Sequence, residues 1–327
     1  MNTQLIAQGF RLREYLPSDI PAFVAILNRT FPDNPRDVEK EKYMESIYPP
    51  DNPRLRYAVE NSAGRVIGVG TCLRPFWMNM TDTYSMWITI DPAWRRRGIG
   101  QSMLGKLEVY AQQQGAVKLR TDCREDSADS IEFLKTCGFN NYGLRFESQI
   151  DLTQIAESKF GAVIDRATAD GYEFTTLAAE RTINPEADRC LYELDELTSE
   201  DVPLPGGARW ESSFENFKHM NLEGPESDVN AIGIAKYRGQ FVGLTIVWFG
   251  KDKPAYTAMT GVRREHRGHG LALALKLLSF RAIKARGYTA VRTTNDTANP
   301  AIMRLNEKLG YQKLPGNMLW EKVISHE

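Results

Sequence analysis

The chain of 327 residues carries one short motif twice, and the two copies lie 172 residues apart. The first copy is Arg-Arg-Arg-Gly-Ile-Gly at 95–100, and the second is Arg-Gly-His-Gly-Leu-Ala at 267–272. Forty residues after each central glycine comes a glycine–aromatic pair, at 138–139 and at 310–311. A gap-free shift of 172 also matches four further pairs: Tyr84 with Tyr256, Gly115 with Gly287, Arg120 with Arg292, and Thr121 with Thr293. One structural module is therefore predicted to occur twice.

The order of predicted elements is the same in both halves. Each half begins with a strand and helices, continues with strands in hairpin succession, and then has the motif helix, another strand, another helix and a closing strand. This order predicts a mixed α/β (α+β) fold in which each half is a twisted, mostly antiparallel sheet flanked by helices. The predicted domains are 1–152 and 170–327, joined by a linker helix at 153–169.

Composition excludes several classes of partner. The hydrophobic share is 42%, the charged share 25% and the net charge -1, which are typical values for a globular protein with room for two domains. Nucleic acids and anionic membranes are bound by a clear cationic excess, so we expect neither as a partner. No apolar stretch approaches the roughly 20 residues that a bilayer-spanning helix needs.

The cysteines and the start of the chain indicate a reducing compartment. Cys72, Cys123, Cys137 and Cys190 have no metal-binding spacing, so free thiols and no metal site are expected. The first residues lack a basic region followed by an apolar run, so no signal peptide and a cytoplasmic location are expected. The chain is expected to act as a monomer or a homodimer.

Each motif is predicted to bind a phosphate group. A strand-like run precedes it and a helix-like run follows it, so the free N–H groups of the first helical turn form an anion site. Glycine at the central position allows a positive φ and a close approach of the backbone to the ligand. The arginines add positive charge at the rim. The residues predicted to bind are Arg95, Arg96, Arg97, Gly98, Ile99 and Gly100 in the first half, and Arg267, Gly268, His269, Gly270, Leu271 and Ala272 in the second.

Two better-known phosphate loops are excluded. The pattern G-x-x-x-x-G-K-(S/T) is absent from the chain. The dinucleotide fingerprint G-x-G-x-x-G fails at its third glycine, which is Met103 in one copy and Leu273 in the other.

The repeated Arg-x-x-Gly-x-(Gly or Ala) loop, followed in the second half by Asn299…Asn306-x-x-x-Gly310-Tyr311, resembles the GNAT superfamily of acetyl-CoA-dependent N-acetyltransferases. The resemblance covers nearly the whole chain, once in each half, as in tandem acetyltransferases. It implies that the loop amides hold the pyrophosphate of coenzyme A. It also implies that the strand ending at Ile90 or Val262 lines the pantetheine arm, and that Asn299 lies near this arm.

The implied reaction is the direct attack of an amine on the acetyl thioester. The family's carboxylate base falls on Tyr84 and Tyr256, and its tyrosine acid falls on Leu134 and Asn306. Since a tyrosine with a pKa near 10 is a poor base at pH 7, a carboxylate acting through water is expected instead. The candidate catalytic residues are Tyr256, Asn306, Asp201 and Glu211.

The second half is the expected catalytic half, because it has Asn299 and Asn306 near the pantetheine path. Its stretch 186–228 holds 12 acidic and 3 basic residues, whereas 19–54 of the first half holds 7 and 5. An acidic cleft attracts cations, so a primary amine of a small cationic acceptor is expected. Two alternatives stay open: a non-catalytic acyl-CoA-binding or sensory protein, and a peptide or protein N-acetyltransferase.

Overall fold

The computed structural model describes residues 9–296 and 299–324. The strands in the described part are β1 (Arg11–Glu14), β2 (Arg54–Glu60), β3 (Val66–Leu73), β4 (Thr83–Ile90), β5 (Lys118–Arg124), β6 (Asn140–Asp151), β7 (Tyr172–Thr176), β8 (Gly233–Tyr237), β9 (Gln240–Trp248), β10 (Ala255–Val262), β11 (Ala290–Asp296) and β12 (Gln312–Val323). The α-helices are α1 (Ile20–Thr30), α2 (Val38–Ser46), α3 (Ile99–Gln113), α4 (Ala128–Thr136), α5 (Val163–Ala169), α6 (Leu177–Arg181), α7 (Ala187–Ser199), α8 (Phe214–Asn221), α9 (Leu271–Ala285) and α10 (Pro300–Leu309).

The chain forms two compact units, and each contains six consecutive strands of the strand order. Unit 1 comprises Met1–Gly143 and Asn317–Glu327, and unit 2 comprises Leu144–Gly316. The strand order is β1-β2-β3-β4-β5-β12 in unit 1 and β6-β11-β10-β9-β8-β7 in unit 2. Neighbouring strands are antiparallel except β4 with β5 and β10 with β11. The predicted mixed α/β fold with mostly antiparallel sheets is therefore confirmed.

The closing strand of each sheet comes from the other half of the sequence. Residues Asn317–Val323 of β12 pair with β5, and Trp320 is buried in the core of unit 1. Residues Arg145–Asp151 of β6 pair with β11, and Ile150 is buried in the core of unit 2. The compact units therefore differ from the predicted ranges 1–152 and 170–327. An alternating pattern shows which face of a strand is buried, but not which strand it pairs with.

The predicted linker helix at 153–169 is α-helical in its last part alone, and short 3₁₀ helices at Leu152–Gln154 and Glu157–Phe160 precede that part. Gly161 has a φ of 58°, a value that breaks a right-handed helix, and α5 begins two residues later. Val163 and Ala167 of α5 are buried and pack into the core of unit 2. This segment is therefore part of a folded unit.

Two helices of unit 2 cover opposite faces of its sheet. Ile246 of β9 packs in one cluster with residues of α7. The next residue, Val247, packs in another cluster with residues of α9. Since successive side chains of a strand point to opposite faces, α7 and α9 lie on different sides of the sheet.

A β-bulge distinguishes the two units. The register between β3 and β4 is unbroken, whereas β10 has one extra residue, Ala258, opposite β9. Residues of β10 before the bulge therefore correspond to unit 1 residues 171, and not 172, positions earlier. Tyr84 thus corresponds to Ala255. Both are core residues, whereas Tyr256 faces the other side and stacks on Trp248. The sequence match of Tyr84 with Tyr256 does not reflect an equivalent position.

Replacing Trp320 with alanine is expected to lower the free energy of unfolding of unit 1 by about 3–5 kcal/mol, because it leaves a cavity in that core. Hydrogen exchange followed by mass spectrometry would locate the lost protection. Val323→Ala is the matched control, since Val323 lies on the same strand but is 65% exposed, and its effect is expected to stay within about 0.5 kcal/mol. Loss of protection confined to unit 2 would contradict the strand assignment.

Candidate functional site

Both motif loops lead from a strand into the N-terminus of a helix, as predicted. Gly98 precedes α3 with a φ of 77°, and Gly270 precedes α9 with a φ of 78°. The N–H of Ser102 bonds to the carbonyl of Gly98, and the N–H of Ala274 bonds to that of Gly270. The three amides before each of these donors have no intrahelical partner. Each helix therefore presents free N–H groups and the positive end of its dipole at the loop.

The first arginine of each motif braces the loop. The Nε of Arg95 donates to the carbonyl of Ile90 at 3.1 Å, and the Nε of Arg267 donates to that of Val262 at 3.0 Å. Both bonds tie the loop to the last residue of the preceding strand. A hydrogen bond to a neutral carbonyl leaves the guanidinium charged, so the charge that these arginines add at the rim stays a prediction.

The rest of the first loop is open. Arg96 and Arg97 are exposed, Arg96 has a φ of 61°, and the Arg97 guanidinium lies over the ring of Trp94 at 5.0 Å. Ile99 is buried and fixes the start of α3. A Cβ at Gly100 would lie 3.4 Å from the ring of Phe133, an ordinary van der Waals contact, so an alanine would fit at this position.

The second loop is held by a carboxylate. Asp201 forms ion pairs with both Arg264 and Arg267. The hydrogen bonds from Arg264 and then Arg267 lower the pKa of Asp201 to about 2. A carboxylate with this pKa is a weak base at neutral pH. The candidate role of Asp201 as base is therefore replaced by a structural one, the bracing of the loop.

The other residues of the second loop are fixed by packing. Gly268 has a φ of 86°, and a Cβ at Gly270 would lie 2.7 Å from Val163. Leu271 is buried, and Ala272 packs in the same cluster. The Nδ1 of His269 lies 3.9 Å from the carboxylate of Asp170. The two loops thus share a backbone but not their surroundings.

In each unit, the strand that leads into the motif loop pairs with its parallel neighbour over a short stretch and then separates from it. Strands β10 and β11 pair over three positions only, Ala255–Thr257 with Val291–Thr293. Strand β10 runs on to Val262 and β11 to Asp296, with no further pairing to each other over their described length. Strands β4 and β5 likewise pair over three positions. We call the parting points the unit 1 fork and the unit 2 fork. Their inner strand edges leave backbone groups available to an extended ligand.

The unit 1 fork is filled by its own side chains. The Nε1 of Trp87 on β4 donates to the carboxylate of Asp122 on β5 at 2.9 Å, and this bond spans the gap. On the α3 side the fork is apolar. The residues that face it there are Met86, Leu104, Cys123, Leu134 and Phe139, which share one hydrophobic cluster.

The unit 2 fork is polar at the same positions. We call the polar residues at these positions, together with Thr293, the fork cluster. Its members are Thr257, Lys276, Thr293, Asn295, Asn306 and Tyr311, and each is at most 8% exposed. Met86 of unit 1 corresponds to Thr257, because the bulge shortens the spacing to 171 residues there. The other four apolar residues of unit 1 correspond to the residues 172 positions later. Every one of them has a polar counterpart.

Hydrogen bonds connect part of the fork cluster. The Nδ2 of Asn306 donates to the Oδ1 of Asn295 at 2.7 Å, and the Nδ2 of Asn295 donates to the hydroxyl of Ser148 at 2.7 Å. The hydroxyl of Thr293 donates to the carbonyl of Thr257 at 3.1 Å. Asn306, predicted as a catalytic residue, is thus a buried member of this network.

Three other atoms of the fork cluster are buried without a hydrogen bond: Thr257 Oγ1, Asn306 Oδ1 and Tyr311 OH. Burial raises the pKa of Tyr311, while a weak side-chain interaction with the Thr257 hydroxyl lowers it. These two hydroxyls are therefore close to each other, although neither forms a hydrogen bond of good geometry. An unsatisfied buried polar atom costs about 1–3 kcal/mol. Because the atoms converge beside a gap between two strands, they fit a polar ligand that enters the unit 2 fork.

Tyr256 and Asn299 have structural contacts. The hydroxyl of Tyr256 bonds to that of Thr294 at 2.5 Å, its ring stacks on Trp248, and burial raises its pKa. Tyr256 therefore joins β10 to β11, and its candidacy as a base is not supported. Asn299 caps α10 through a hydrogen bond from the N–H of Ile302 at 3.3 Å.

Asp195 is a titratable residue that the sequence reasoning missed. It follows Leu191 by four residues on α7 and precedes Thr198 by three, so it shares their helix face. Thr198 contacts Gly261 of β10, which places this face against the forked strand. Burial, followed by the charge of Glu196, raises the pKa of Asp195 to about 7. A carboxylate on an otherwise apolar helix face was the signal in the sequence.

Three more acids lie near Asp195. Burial raises the pKa of Glu196, and the charges of Glu211 and then Glu200 raise it further. We call Asp195, Glu196, Glu200 and Glu211 the acidic cluster. Glu211, a predicted catalytic residue, is exposed and contributes charge here.

Other acids of the stretch 186–228 are neutralised locally. They pair with nearby bases, namely Asp188 with Arg181, Glu226 with Lys253, and Asp228 with Arg286. The charge count from the sequence therefore overstated the negative charge of the cleft. Among the residues described, the acids of this stretch that form no ion pair are those of the acidic cluster together with Glu186 and Glu193.

The described residues contain neither a metal-binding cluster nor a membrane-spanning helix. No group of three or more His, Cys, Asp or Glu side chains there could hold a metal ion. No helix in the same residues is both long enough and apolar enough to cross a membrane.

Comparison with known proteins gives a family match in each half. Residues 20–139 and 191–311 match the Acetyltransferase (GNAT) family. Among curated proteins, the chain is 25% identical over 130 residues to N-alpha-acetyltransferase 30 of Schizosaccharomyces pombe, which covers 40% of this chain and 83% of that protein.

Two solved structures resemble the whole chain. A GCN5-related N-acetyltransferase from Sphaerobacter thermophilus matches with a TM-score of 0.71 and 18% identity, over 97% of this chain and 96% of that one. A tandem GNAT protein from the clavulanic acid biosynthesis pathway matches with a TM-score of 0.73 and 19% identity, over 97% and 99%. At these identities the likeness concerns the fold, and it confirms the predicted doubling.

Replacing Asp201 with asparagine is expected to make the free energy of unfolding depend less on pH between about pH 4 and 2. Since the folded pKa of Asp201 is depressed to about 2, its pairs stabilise the fold above the unfolded pKa, and this contribution is lost as the pH falls from about 4 to 2. Urea unfolding between pH 5 and pH 2 would measure the difference. Glu265→Gln is the control, because Glu265 is in the same loop and forms no ion pair among the described residues. An unchanged acid limb in Asp201→Asn would contradict the bracing role.

Proposed function

The chain belongs to the Acetyltransferase (GNAT) family, and we propose that unit 2 transfers an acetyl group from acetyl-CoA to the primary amine of a small cationic acceptor. The family makes the protein an acyltransferase. The observation that carries the choice of unit 2 is its fork cluster, where buried polar atoms without partners stand at positions that are apolar in unit 1.

The residues of unit 2 fit the parts of acetyl-CoA, which supplies the acetyl group as an activated thioester. The free amides at the start of α9, from Leu271 to Leu273, suit the pyrophosphate. The parted edges of β10 and β11 suit the pantetheine arm, whose amides can bond to a strand edge. The fork cluster suits the polar thioester end. The bulge at Ala258 takes backbone groups out of the ladder with β9, and one of these N–H groups could serve the carbonyl oxygen.

Asp195 is the proposed general base. A base is most effective when its pKa lies near the working pH, and the pKa of Asp195 is about 7. Its helix face lies against β10, on the side of the sheet opposite α9. Asp195 would take the proton that the acceptor nitrogen loses as it attacks.

The acidic cluster supports a cationic acceptor. Burial and, after it, the repulsion from neighbouring carboxylates raise the pKa of Glu196, and a bound cation would relieve that repulsion. Nearby negative charge also raises the association rate of a positively charged amine, and salt weakens this effect.

A peptide α-amine is the second acceptor class. The similarity to N-alpha-acetyltransferase 30 favours it, although that similarity spans 40% of the chain. An α-amine with a pKa near 7.7–8.0 needs less help from a base than a lysine-like amine near 10.4.

A panel of amines separates these functions. We expect the release of free thiol from acetyl-CoA with di- and polycationic small amines, a weaker response with neutral amines, and a loss of this preference at high salt. A preference for peptides would support the second class. Thermal stabilisation by acetyl-CoA without turnover of any amine would indicate a binding protein. The lack of stabilisation by both acetyl-CoA and CoA would contradict the proposal as a whole.

Asp195→Asn is expected to lower kcat on the order of 10²–10⁴-fold, the usual contribution of a general base. In the unchanged protein, kcat should rise as the pH approaches about 7 from the acid side, because the Asp195 carboxylate must be ionised to accept a proton; the variant should lack this rise. The control is Glu193→Gln, an exposed acid on the same helix. Equal pH profiles for Asp195→Asn and the unchanged protein would exclude Asp195 as the base.

A further inference from the structure

Lys276 is a buried amine in an apolar helix. It lies on α9 and is 1% exposed. Its Nζ lies 5.3 Å from the centre of the Tyr311 ring, within the fork cluster. No carboxylate forms an ion pair with it in residues 9–296 and 299–324. Lysine is almost never fully buried unless it is paired, so this position calls for a physical reason.

The fold itself does not need a lysine here. Helices α3 and α9 begin and end in the same register, and the residue of unit 1 at this position is Leu104. Leu104 is buried in the core of unit 1, which shows that this site accepts an aliphatic side chain. Lys276 therefore makes unit 2 less stable than a leucine or methionine would.

The surroundings of Lys276 are polar but uncharged. Tyr311 is the titratable side chain in contact with it, and the other members of the fork cluster carry hydroxyl or amide groups. Burial alone lowers the pKa of Lys276 to about 7, with no contribution from a charged group among the described residues. The amine can therefore both hold and release a proton near neutral pH.

We propose that Lys276 donates a proton to the departing sulfur of coenzyme A, an inference that rests on the proposed acetyl transfer in unit 2. The structural basis is a buried amine on the α9 side of the unit 2 fork, beside atoms that lack hydrogen-bond partners. Asn306 and Leu134 occupy the place of the family's acid, and neither side chain is an acid. Lys276 would supply that function from a neighbouring helix.

The proton balance closes without another reactant. As the acceptor nitrogen forms the amide bond, the bond between the acetyl carbon and sulfur breaks, and the sulfur keeps the electron pair. Lys276 gives its proton to the sulfur, and Asp195 takes one from the nitrogen. Lys276 then regains a proton from solvent and Asp195 loses one to it. The net change is one amide and one thiol.

The first arm of the test measures stability. Below pH 7 both folded and unfolded chains hold the Lys276 proton, and between about pH 7 and 10.5 the unfolded chain alone holds it. This group therefore makes the fold more stable as the pH rises through that range. Lys276→Met is expected to raise the urea midpoint at pH 7 and to remove this rise. The control Leu104→Met should change the pH dependence in neither direction.

The second arm measures turnover with an amine that the panel identifies. At pH 6.5 Lys276→Met is expected to lower kcat on the order of 10²-fold and to leave the KM for acetyl-CoA unchanged. The deficit should shrink as the pH rises above about 7, because Lys276 in the unchanged protein then loses the proton that it would donate. Leu104→Met should retain full kcat.

The outcomes are distinguishable. A more stable Lys276→Met protein with a reduced kcat and a deficit that shrinks with pH supports the proposal. A more stable variant with unchanged kcat overturns it, as does a loss of kcat that is the same at every pH. If the unchanged protein neither binds acetyl-CoA nor releases thiol, the proposed function fails, while the stability arm still reports on the burial of Lys276.

Discussion

The parting of two parallel strands is the constraint on which the rest of unit 2 depends. Strands β10 and β11 share three paired positions and then separate, so two inner edges lose the hydrogen bonds that a sheet normally supplies. The helix that connects them, α9, begins at the open end with its own amides unpaired. One topological feature thus places free backbone donors at the loop and along the gap. A ligand with a phosphate at one end and an extended polar arm matches this arrangement without further adaptation of the backbone.

The same fork can be filled by side chains of the protein itself, as unit 1 shows. There the Trp87–Asp122 bond spans the fork, and leucine, methionine and phenylalanine side chains fill its α3 side. Unit 2 has polar side chains at these positions instead, and three of their atoms lack hydrogen-bond partners. At about 1–3 kcal/mol for each unsatisfied atom, the difference amounts to several kcal/mol, a large share of a typical domain's stability. A loss of stability of this size is expected at a functional site and is not required by the fold.

The sequence predicted the parts of this design that are local. The loops, the helices that follow them and the doubled mixed α/β fold depend on glycine positions and short-range periodicity, which two copies make clear. Contacts over long distances in the chain were not predictable in this way. The bulge at Ala258 moved Tyr256 to the opposite face of β10, the exchange of β6 and β12 left no trace in their patterns, and the arginines that pair with Asp201 are more than 60 residues away from it. Asp195 was passed over because a net charge count does not separate a half-buried carboxylate on the sheet side of a helix from its neutralised neighbours.

The two proposed proton-transfer groups lie on opposite sides of one sheet, and burial acts on them in opposite directions. It raises the pKa of the Asp195 carboxyl and lowers that of the Lys276 amine, to about 7 in both cases. In water their pKa values would differ by more than six units, and near pH 7 the carboxyl would be a weak base and the amine a weak acid. Burial brings both into the range where proton transfer is efficient. Because the sheet separates them, the acid and the base need not neutralise each other. Unit 1 has Leu104 at the position of Lys276, so it lacks the buried amine on which the proposed acid step depends.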